Sequence, residues 1–203
     1  MENQTIAQTI RERRTVRTLS DQPLSIDKIY QLLETASYAP FHSKNEPWQV
    51  SIVRSQQERK LFVEKIMASY DRLDIWANYD PQYLTKAKTR THDYFLDVPV
   101  TLIVTAPICE DEIENLEAVS AVSAFIQNFQ LAAWTENIGV TWRTIPVISD
   151  KVFKEEIGVS EEEQIIGLLD ITVVDQSVKL PRAKRVPVEK WTNQLSDRLS
   201  EIE

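Results

Sequence analysis

Residues 113–139 read IENLEAVSAVSAFIQNFQLAAWTENIG, and this stretch predicts the longest helix of the chain. Its apolar residues occur on more than one helical face, and Gly139 stands where glycine commonly ends a helix, in the C′ position. A helix that is apolar nearly all round must be covered on every side. Because one small domain has limited means to cover it, the pattern indicates a subunit interface along this helix.

The segments on either side of this helix predict both strands and helices. The runs 48–53, 98–106 and 164–174 are rich in β-branched residues and predict strands. Helices are predicted over 5–14, after Ser25, after a capping box formed by Ser55 and Glu58, and from Ser149 to Gly158. The strands are few and irregularly spaced, which favours the α+β class over a doubly wound α/β sheet.

Two segments stand apart from this pattern. Segment 70–95 mixes aromatic and polar residues without a clean period, and we interpret it as a helical excursion or lid whose Trp76 and Tyr79 stack on a flat substrate. Packing of the same aromatic residues on the core is an equally supported alternative. Segment 179–203 is a basic tail outside the core, and residues 1–203 together predict a single domain.

Composition excludes several classes of protein. The chain has 203 residues, of which 31 are acidic and 23 basic, and this balance argues against a nucleic-acid-binding surface. The single cysteine, Cys109, excludes an internal disulfide framework, and with two histidines it provides too few ligands for a structural zinc site. We expect Cys109 to be buried. The N-terminal residues do not resemble a signal peptide and no apolar run is long enough to span a membrane, so we predict a cytoplasmic protein.

Glycine is too scarce for the usual phosphate-binding loops. Gly139, Gly158 and Gly167 are the only three glycines, which excludes both the G-x-G-x-x-G turn and the P-loop. Any phosphate must therefore be held mainly by side chains.

Two basic clusters could supply those side chains. Arg13, Arg14 and Arg17 flank Thr15 near the start of the chain, and Arg182, Lys184 and Arg185 lie near its end. If both clusters lie over one pocket, they give a phosphate several charge-assisted donors, with the Thr15 hydroxyl in addition. Arg11 is better interpreted as part of a solvated helix face.

A third motif is SYAPFHSKNEPWQVSIV at 37–53. A helix ends near Pro40, a polar loop passes through His42, Ser43 and Asn45, and a strand begins after it, so short polar side chains are presented at an element boundary.

Together these motifs resemble the FMN-dependent nitroreductase family. Its R-R-[ST]-x-R motif is seen at residues 13–17, its A-P-…-P-W motif as APFHSKNEPW, and its L-G-…-W-[RK]-[ST] motif as NIGVTWRT. The likeness covers nearly the whole chain and is greatest to the compact single-domain branch. It implies a central, mostly antiparallel sheet flanked by helices, with the long helix at a homodimer interface.

The resemblance also implies the residues of an FMN site. Those around the phosphate, ribityl chain and pyrimidine edge are Arg13, Arg14, Thr15 and Arg17, with Arg182 or Arg185 closing on the phosphate. Those lining the flavin from the partner subunit are Pro40, His42 and Asn45, and those along its other edge are Trp142, Arg143 and Thr144. Phe41 stands where many members have serine, which affects the substrate side.

The activity that the resemblance implies is transfer of hydride from NADH or NADPH, through flavin N5, to a nitroaromatic, quinone or similar acceptor by a ping-pong mechanism. Flavin N5 is the reactive centre, and Arg17 is expected to support the negative charge of the ring. No side chain forms a convincing catalytic triad. The alternatives are another flavin reaction on the same fold, such as activated-alkene reduction or reductive dehalogenation, and a non-enzymatic anion-binding module.

Overall fold

The sheet has four strands, all paired antiparallel, in the order β1-β2-β4-β3. The computed structural model describes residues 5–42, 45–175, 177–181 and 183–199. The strands are β1 (Gln49–Val53), β2 (Val100–Pro107), β3 (Ile138–Arg143) and β4 (Glu163–Val173). The α+β prediction is confirmed.

Seven α-helices lie within the described residues. They are α1 (Ile6–Glu12), α2 (Ile26–Ala36), α3 (Gln56–Arg72), α4 (Pro81–Asp97), α5 (Glu112–Thr135), α6 (Lys151–Glu156) and α7 (Leu195–Leu199). The side chain of Ser25 caps α2, and Ser55 and Glu58 form the predicted capping box of α3. No helix within the described residues is long and apolar enough to cross a membrane.

The sheet lies between two layers of helices. Helices α2 and α5 pack on one face, and α3, α4 and α6 cover the other. In β2, Leu102 and Val104 belong to the first core and Ile103 belongs to the second. Because successive side chains of a strand alternate between faces, burial on both faces explains the nearly continuous apolar run of β2.

Helix α5 is buried unevenly along its length. Phe125, Ile126 and Phe129 are fully buried, whereas Ile113 is 67% exposed and Leu116 is 65% exposed. The single chain therefore leaves apolar side chains near the start of α5 uncovered. Such uncovered apolar side chains are the feature expected of an interface helix.

The predicted end of this helix was wrong. Helix α5 ends at Thr135, and Asn137, with φ 57°, takes the left-handed position that the sequence assigned to Gly139. Asparagine tolerates this backbone conformation because its short polar side chain can hydrogen-bond locally. Gly139 lies in β3, a strand that the sequence did not predict.

Three smaller expectations also need correction. Asp150, not Ser149, caps α6, because residues Pro146–Ser149 form a separate 3₁₀ turn. Cys109 is half-buried rather than buried. The tail lies outside the core, as predicted, but its described part contains a 3₁₀ turn and α7.

Candidate functional site

Residues 13–17, here called the arginine strand, extend the sheet beyond β3. Thr15 forms a parallel bridge with Val140, and the Thr141 hydroxyl donates to the carbonyl of Val16 at 2.7 Å. The close approach depends on a glycine, since a β-carbon at Gly139 would lie 2.5 Å from the Cβ of Val16. The fold therefore fixes the backbone of the motif directly against the sheet.

Alternation along the arginine strand separates its side chains into two sets. Val16 is buried, while Arg13 and Thr15 are half-buried and Arg17 is exposed. Since side chains alternate along an extended segment, Arg13, Thr15 and Arg17 share the side opposite to Val16. Two cations and one hydroxyl are thus presented together.

The tail brings a second basic residue to the same place. The Nε of Arg14 donates to the carbonyl of Pro181 at 2.8 Å. Burial, together with the neighbouring charges of Arg14 and Arg185, lowers the pKa of Arg13. The two basic clusters therefore lie close to each other at Arg13 and Arg185, while Arg182 lies outside the described residues.

The ion pairs that the structure describes do not include this cluster. They involve none of Arg13, Arg14, Arg17 and Arg185. Closely spaced cations without a carboxylate repel one another, and a bound anion relieves this repulsion. The arrangement suits a phosphate group.

At the end of β3, neighbouring side chains turn to opposite faces. The Trp142 indole lies on Gly167, where a β-carbon would be 2.1 Å from its Nε1, and its N–H donates to the carbonyl of Ile166 at 3.1 Å. Arg143 turns to the other face, and Thr144 is exposed just beyond the strand. Trp142 is therefore held by the core, and only Thr144 is fully accessible.

Arg143 belongs to a polar network that the sequence analysis missed. Its Nε donates to Asp170 Oδ2 at 2.5 Å, and Asp170 also accepts hydrogen bonds from the hydroxyls of Thr101 and Tyr94. Behind Thr101, Arg59 donates to the Thr101 hydroxyl at 2.8 Å. The only signal for this network in the sequence was an aspartate inside the apolar run GLLDITVV.

Burial affects the two arginines of this network differently. Desolvation lowers the pKa of Arg59 to about 10. Burial alone would also lower the pKa of Arg143, but the carboxylate of Asp170 outweighs it, and the net shift raises the pKa of Arg143. Both guanidinium groups remain charged at neutral pH.

The loop with Pro40, Phe41, His42 and Asn45 lies at the other edge of the sheet. All four residues are exposed, and the Phe41 ring meets Trp48 edge-to-face at 5.5 Å. His42 Nδ1 lies 3.3 Å from Glu117 Oε2, near the start of α5. Phe41, His42 and Asn45 also line a groove of about 1130 Å³.

The loop and the arginine strand do not meet within one chain. The loop leads into β1, and the arginine strand lies outside β3, so β1, β2, β4 and β3 all lie between them. Strands are spaced about 4.8 Å apart, so β1 and β3 alone are separated by about 14 Å. Within one chain the two groups therefore lie at opposite edges of the sheet.

The two aromatic residues assigned to the substrate have different surroundings. Trp76 is 7% exposed and belongs to the core between α3 and β2, which supports the packing interpretation for this residue. Tyr79 is 47% exposed and lies against Trp76, with ring centres 5.5 Å apart. Of the two, only Tyr79 is exposed on the surface.

An α+β sheet with an arginine cluster on its outer edge is a combination of fold and site that suits a small anion such as phosphate. The model of the nitroreductase family matches residues 10–171, and the chain belongs to that family. The resemblance and the expected fold are therefore confirmed.

Relatives and solved structures agree with this assignment. YfhC of Bacillus subtilis (strain 168), whose name describes an NAD(P)H nitroreductase, is 28% identical over 180 residues, which are 88% of either chain. A nitroreductase-like family protein from Bacillus cereus has a TM-score of 0.82 at 30% identity and covers 96% of this chain and 98% of its own. A Bacteroides fragilis nitroreductase solved with bound FMN shares the fold, with a TM-score of 0.69 at 21% identity over 94% of this chain and 99% of its own.

Proposed function

We propose that this protein is an FMN-dependent oxidoreductase that takes hydride from NADH or NADPH and passes it to a nitroaromatic, a quinone or a similar electron-poor acceptor by a ping-pong mechanism. The observation that carries the proposal is the arginine cluster, in which Arg13 lies near the charges of Arg14 and Arg185 where the tail meets the arginine strand. FMN in the Bacteroides fragilis structure and NAD(P)H in the name of YfhC support the choice of cofactor and donor.

The phosphate end of FMN is assigned to the cations where the tail meets the arginine strand. Arg13 and Arg185 repel each other in the free protein, which is why a phosphate dianion is favoured between them. Arg14 is tied to backbone carbonyls through Nε and one terminal nitrogen, so it mainly shapes the site. Arg182 is included on the sequence motif alone.

The ring end is assigned to Arg17, Thr15 and the exposed Thr144. Bound FMN supplies a ring that accepts and donates hydride at N5. Arg17 provides a cation for the edge where negative charge accumulates, and the pairing of Thr15 with Val140 positions the backbone from which its side chain extends. Trp142 holds the end of β3 on Gly167 and so positions Thr144.

The other side of the flavin is assigned to Pro40, His42 and Asn45 of a second copy, with Phe41 toward the substrate. This follows from the separation of the loop from the arginine strand within one chain. The exposed apolar residues of α5 supply a surface for the homodimer contact.

Mixed dimers test this arrangement directly. One variant carries Arg13→Ala and Arg17→Ala, the other carries His42→Ala and Asn45→Ala, and each alone is expected to lose FMN. In a dimer of one copy of each, one site carries all four substitutions and the other carries none. If the copies pair at random, co-expression should restore about a quarter of the wild-type FMN content, measured by visible absorption.

Two outcomes would contradict the proposal in different ways. No recovery in the mixed population would show that both groups act within one chain. A colourless wild-type protein that also fails to bind added FMN would remove the flavin function itself.

A further inference from the structure

Trp142 and Arg143 hold the end of β3 from opposite faces of the sheet. The Trp142 indole packs against the first core, where its N–H donates to the carbonyl of Ile166 at 3.1 Å. The Arg143 side chain turns to the face covered by α3, α4 and α6, where its Nε donates to Asp170. The next residue, Thr144, is exposed just beyond the strand. The backbone that leads to Thr144 is therefore fixed by two anchors.

The Arg143 guanidinium is committed to partners inside the fold. It lies 4.6 Å from the centre of the Tyr94 ring and 5.5 Å from that of Phe95, near the C-terminal end of α4. The Tyr94 hydroxyl donates at 3.2 Å to Asp170 Oδ2, the same oxygen that accepts from Arg143. Asp170 is only 2% exposed. One guanidinium thus joins β3, β4 and α4 around a buried carboxylate.

The position assigned to the flavin lies on the other side of β3. Thr15 bridges Val140, and paired residues of neighbouring strands point to the same side of a sheet. Val140 belongs to the first core, whereas Arg143, three residues further along β3, points to the opposite side. A β-carbon on Gly139 would meet Val16, which agrees with this alternation, since Gly139 and Arg143 share a side. Arg143 therefore points away from the side assigned to the flavin.

The carboxylate of Asp170 is supported on its other oxygen as well. Thr101 lies opposite Asp170 in the pairing of β2 with β4, and its hydroxyl donates to Asp170 Oδ1 at 3.0 Å. That hydroxyl in turn accepts from Arg59 at 2.8 Å. Because a buried ion pair loses most when only one partner is removed, Arg143 and Asp170 are expected to act as a unit.

We propose that Arg143 is a positioning residue of the cofactor site and not a ligand of the flavin. Arg143, Asp170 and Tyr94, here called the β3 clamp, pin the end of β3 to α4 and so fix the place at which Thr144 is presented. The family motif alone implied that Arg143 lies along the flavin edge. The role of Thr144 at the flavin rests on the proposed function, whereas the β3 clamp does not.

A double-mutant cycle on FMN affinity tests whether Arg143 acts through Thr144. Arg143→Gln should weaken FMN binding about tenfold, measured by fluorescence titration below the melting transition of every variant. In a Thr144→Val background, which lacks the hydroxyl that the β3 clamp presents, the same substitution should weaken binding by no more than about twofold. Equal losses in the two backgrounds would overturn the proposal, since Arg143 would then act independently of Thr144.

Asp170→Asn provides a rescue that is not available to a direct flavin ligand. Arg143→Gln leaves the carboxylate of Asp170 buried without its cation, whereas Arg143→Gln/Asp170→Asn replaces both charges by amides that can pair. The double variant should therefore bind FMN more tightly than Arg143→Gln. If the second substitution restores none of the affinity, the proposal is overturned. If Arg143→Gln does not fold, the double variant takes its place in the cycle with Thr144→Val.

Arg72→Gln is the matched control, because it also removes an arginine from an ion pair with a buried aspartate. Arg72, the last residue of α3, donates through Nε and a terminal nitrogen to Asp150. Its loss should lower the melting temperature and leave FMN affinity unchanged. A loss of affinity equal to that of Arg143→Gln would show a general effect of weakened folding and would overturn the proposal.

Amide hydrogen exchange of the protein without added FMN separates failure of the β3 clamp from failure of the proposed function. Arg143→Gln should speed exchange in residues 141–145 by about tenfold, and Arg72→Gln should not. A protein that shows this difference but never binds FMN would keep the β3 clamp and overturn its role at a flavin site, together with the flavin function. A protein that binds FMN, but whose exchange in residues 141–145 is the same in the wild type and Arg143→Gln, would overturn the β3 clamp alone.

Discussion

Val16 and Gly139 lie so close together that no side chain fits at Gly139. A β-carbon there would be 2.5 Å from the Cβ and 2.6 Å from the Cγ2 of Val16. Real β-carbons do not approach this closely, so any substituted side chain would push the arginine strand away from β3. The position of every cation on that strand therefore depends on one glycine.

Gly139→Ala should weaken FMN binding at least tenfold, because it displaces Arg13 and Arg17 together. Overpacking of this kind typically costs about 1–3 kcal/mol of stability, so the variant should still fold. Fluorescence titration with FMN and thermal unfolding would measure the two effects. The double variant Gly139→Ala/Val16→Gly, which restores the space, should recover part of the affinity; an absence of recovery would show that the clash is not the cause.

Arg17→Ala should impair both FMN retention and the reduction step, since it removes the cation nearest the proposed ring edge. The loss of one such electrostatic donor typically lowers a rate by about 10²-fold or more. Arg11→Ala should change little, because Arg11 is exposed on α1 and contributes its carbonyl rather than its side chain to Arg14. Stopped-flow reduction with NADH and NADPH would compare them, and equal losses would show that the arginine strand is wrongly assigned.

Local signals in the sequence were enough to predict the capped starts of α2 and α3 and three of the four strands. Such signals lie within a few residues of the structure they specify. The strand β3 was missed because it begins one residue after Asn137, and the sequence offered Gly139 as the usual residue to end the preceding helix.

The site was predictable only in part for a related reason. The motif around Thr15 is contiguous, so its basic residues could be recognised from sequence alone. The pairing of Arg143 with Asp170 depends on the register of β3 against β4, which places Thr141 opposite Asp170. Arg143 and Asp170 are 27 residues apart in the sequence, and no local pattern encodes their contact.

Substitution of Trp76 and of Tyr79 should have different effects, because only one of the two is buried. Trp76→Ala should lower stability by about 3–5 kcal/mol, the usual cost of removing a buried tryptophan. Tyr79→Ala should leave the melting temperature and FMN content nearly unchanged and raise KM for the acceptor. A Tyr79 variant that melts early but keeps its acceptor kinetics would contradict the lid interpretation for that residue.

Glu58 should make the stability of α3 depend on pH. Its carboxylate accepts from the backbone N–H groups of Arg54 and Ser55 at 3.0 and 2.8 Å, and these bonds lower its pKa below the ordinary value of 4.5. Because the pKa of Glu58 is lower in the folded protein than in the unfolded chain, its carboxylate stabilises the fold above pH 4.5. This stabilisation is lost as the pH falls through the pKa of the folded state. Glu58→Gln should therefore cost about 0.3–1 kcal/mol at neutral pH, with the difference closing in acid.

Thermal unfolding from neutral to acidic pH would measure this difference. Glu34→Gln removes an exposed charge that is not part of a capping box and is the matched control. If the difference in unfolding free energy between the wild type and Glu58→Gln stays constant down to strongly acidic pH, the capping carboxylate is not the source of that difference.

Leu116 should be required for the homodimer and, through it, for FMN binding. It is 65% exposed on α5, one residue from Glu117, which contacts His42 of the loop assigned to the second half of the site. An arginine at this position would place a charge in an interface core, where unpaired charges are strongly disfavoured. Leu116→Arg should therefore sediment as a monomer and lose FMN while retaining its far-ultraviolet circular dichroism.

Leu61→Arg makes the same substitution at a position 53% exposed on α3, across the sheet, and should remain dimeric and yellow. If Leu116→Arg is a stable monomer that still holds FMN, one chain is sufficient for the site, and the assignment of Pro40, His42 and Asn45 to the partner is wrong.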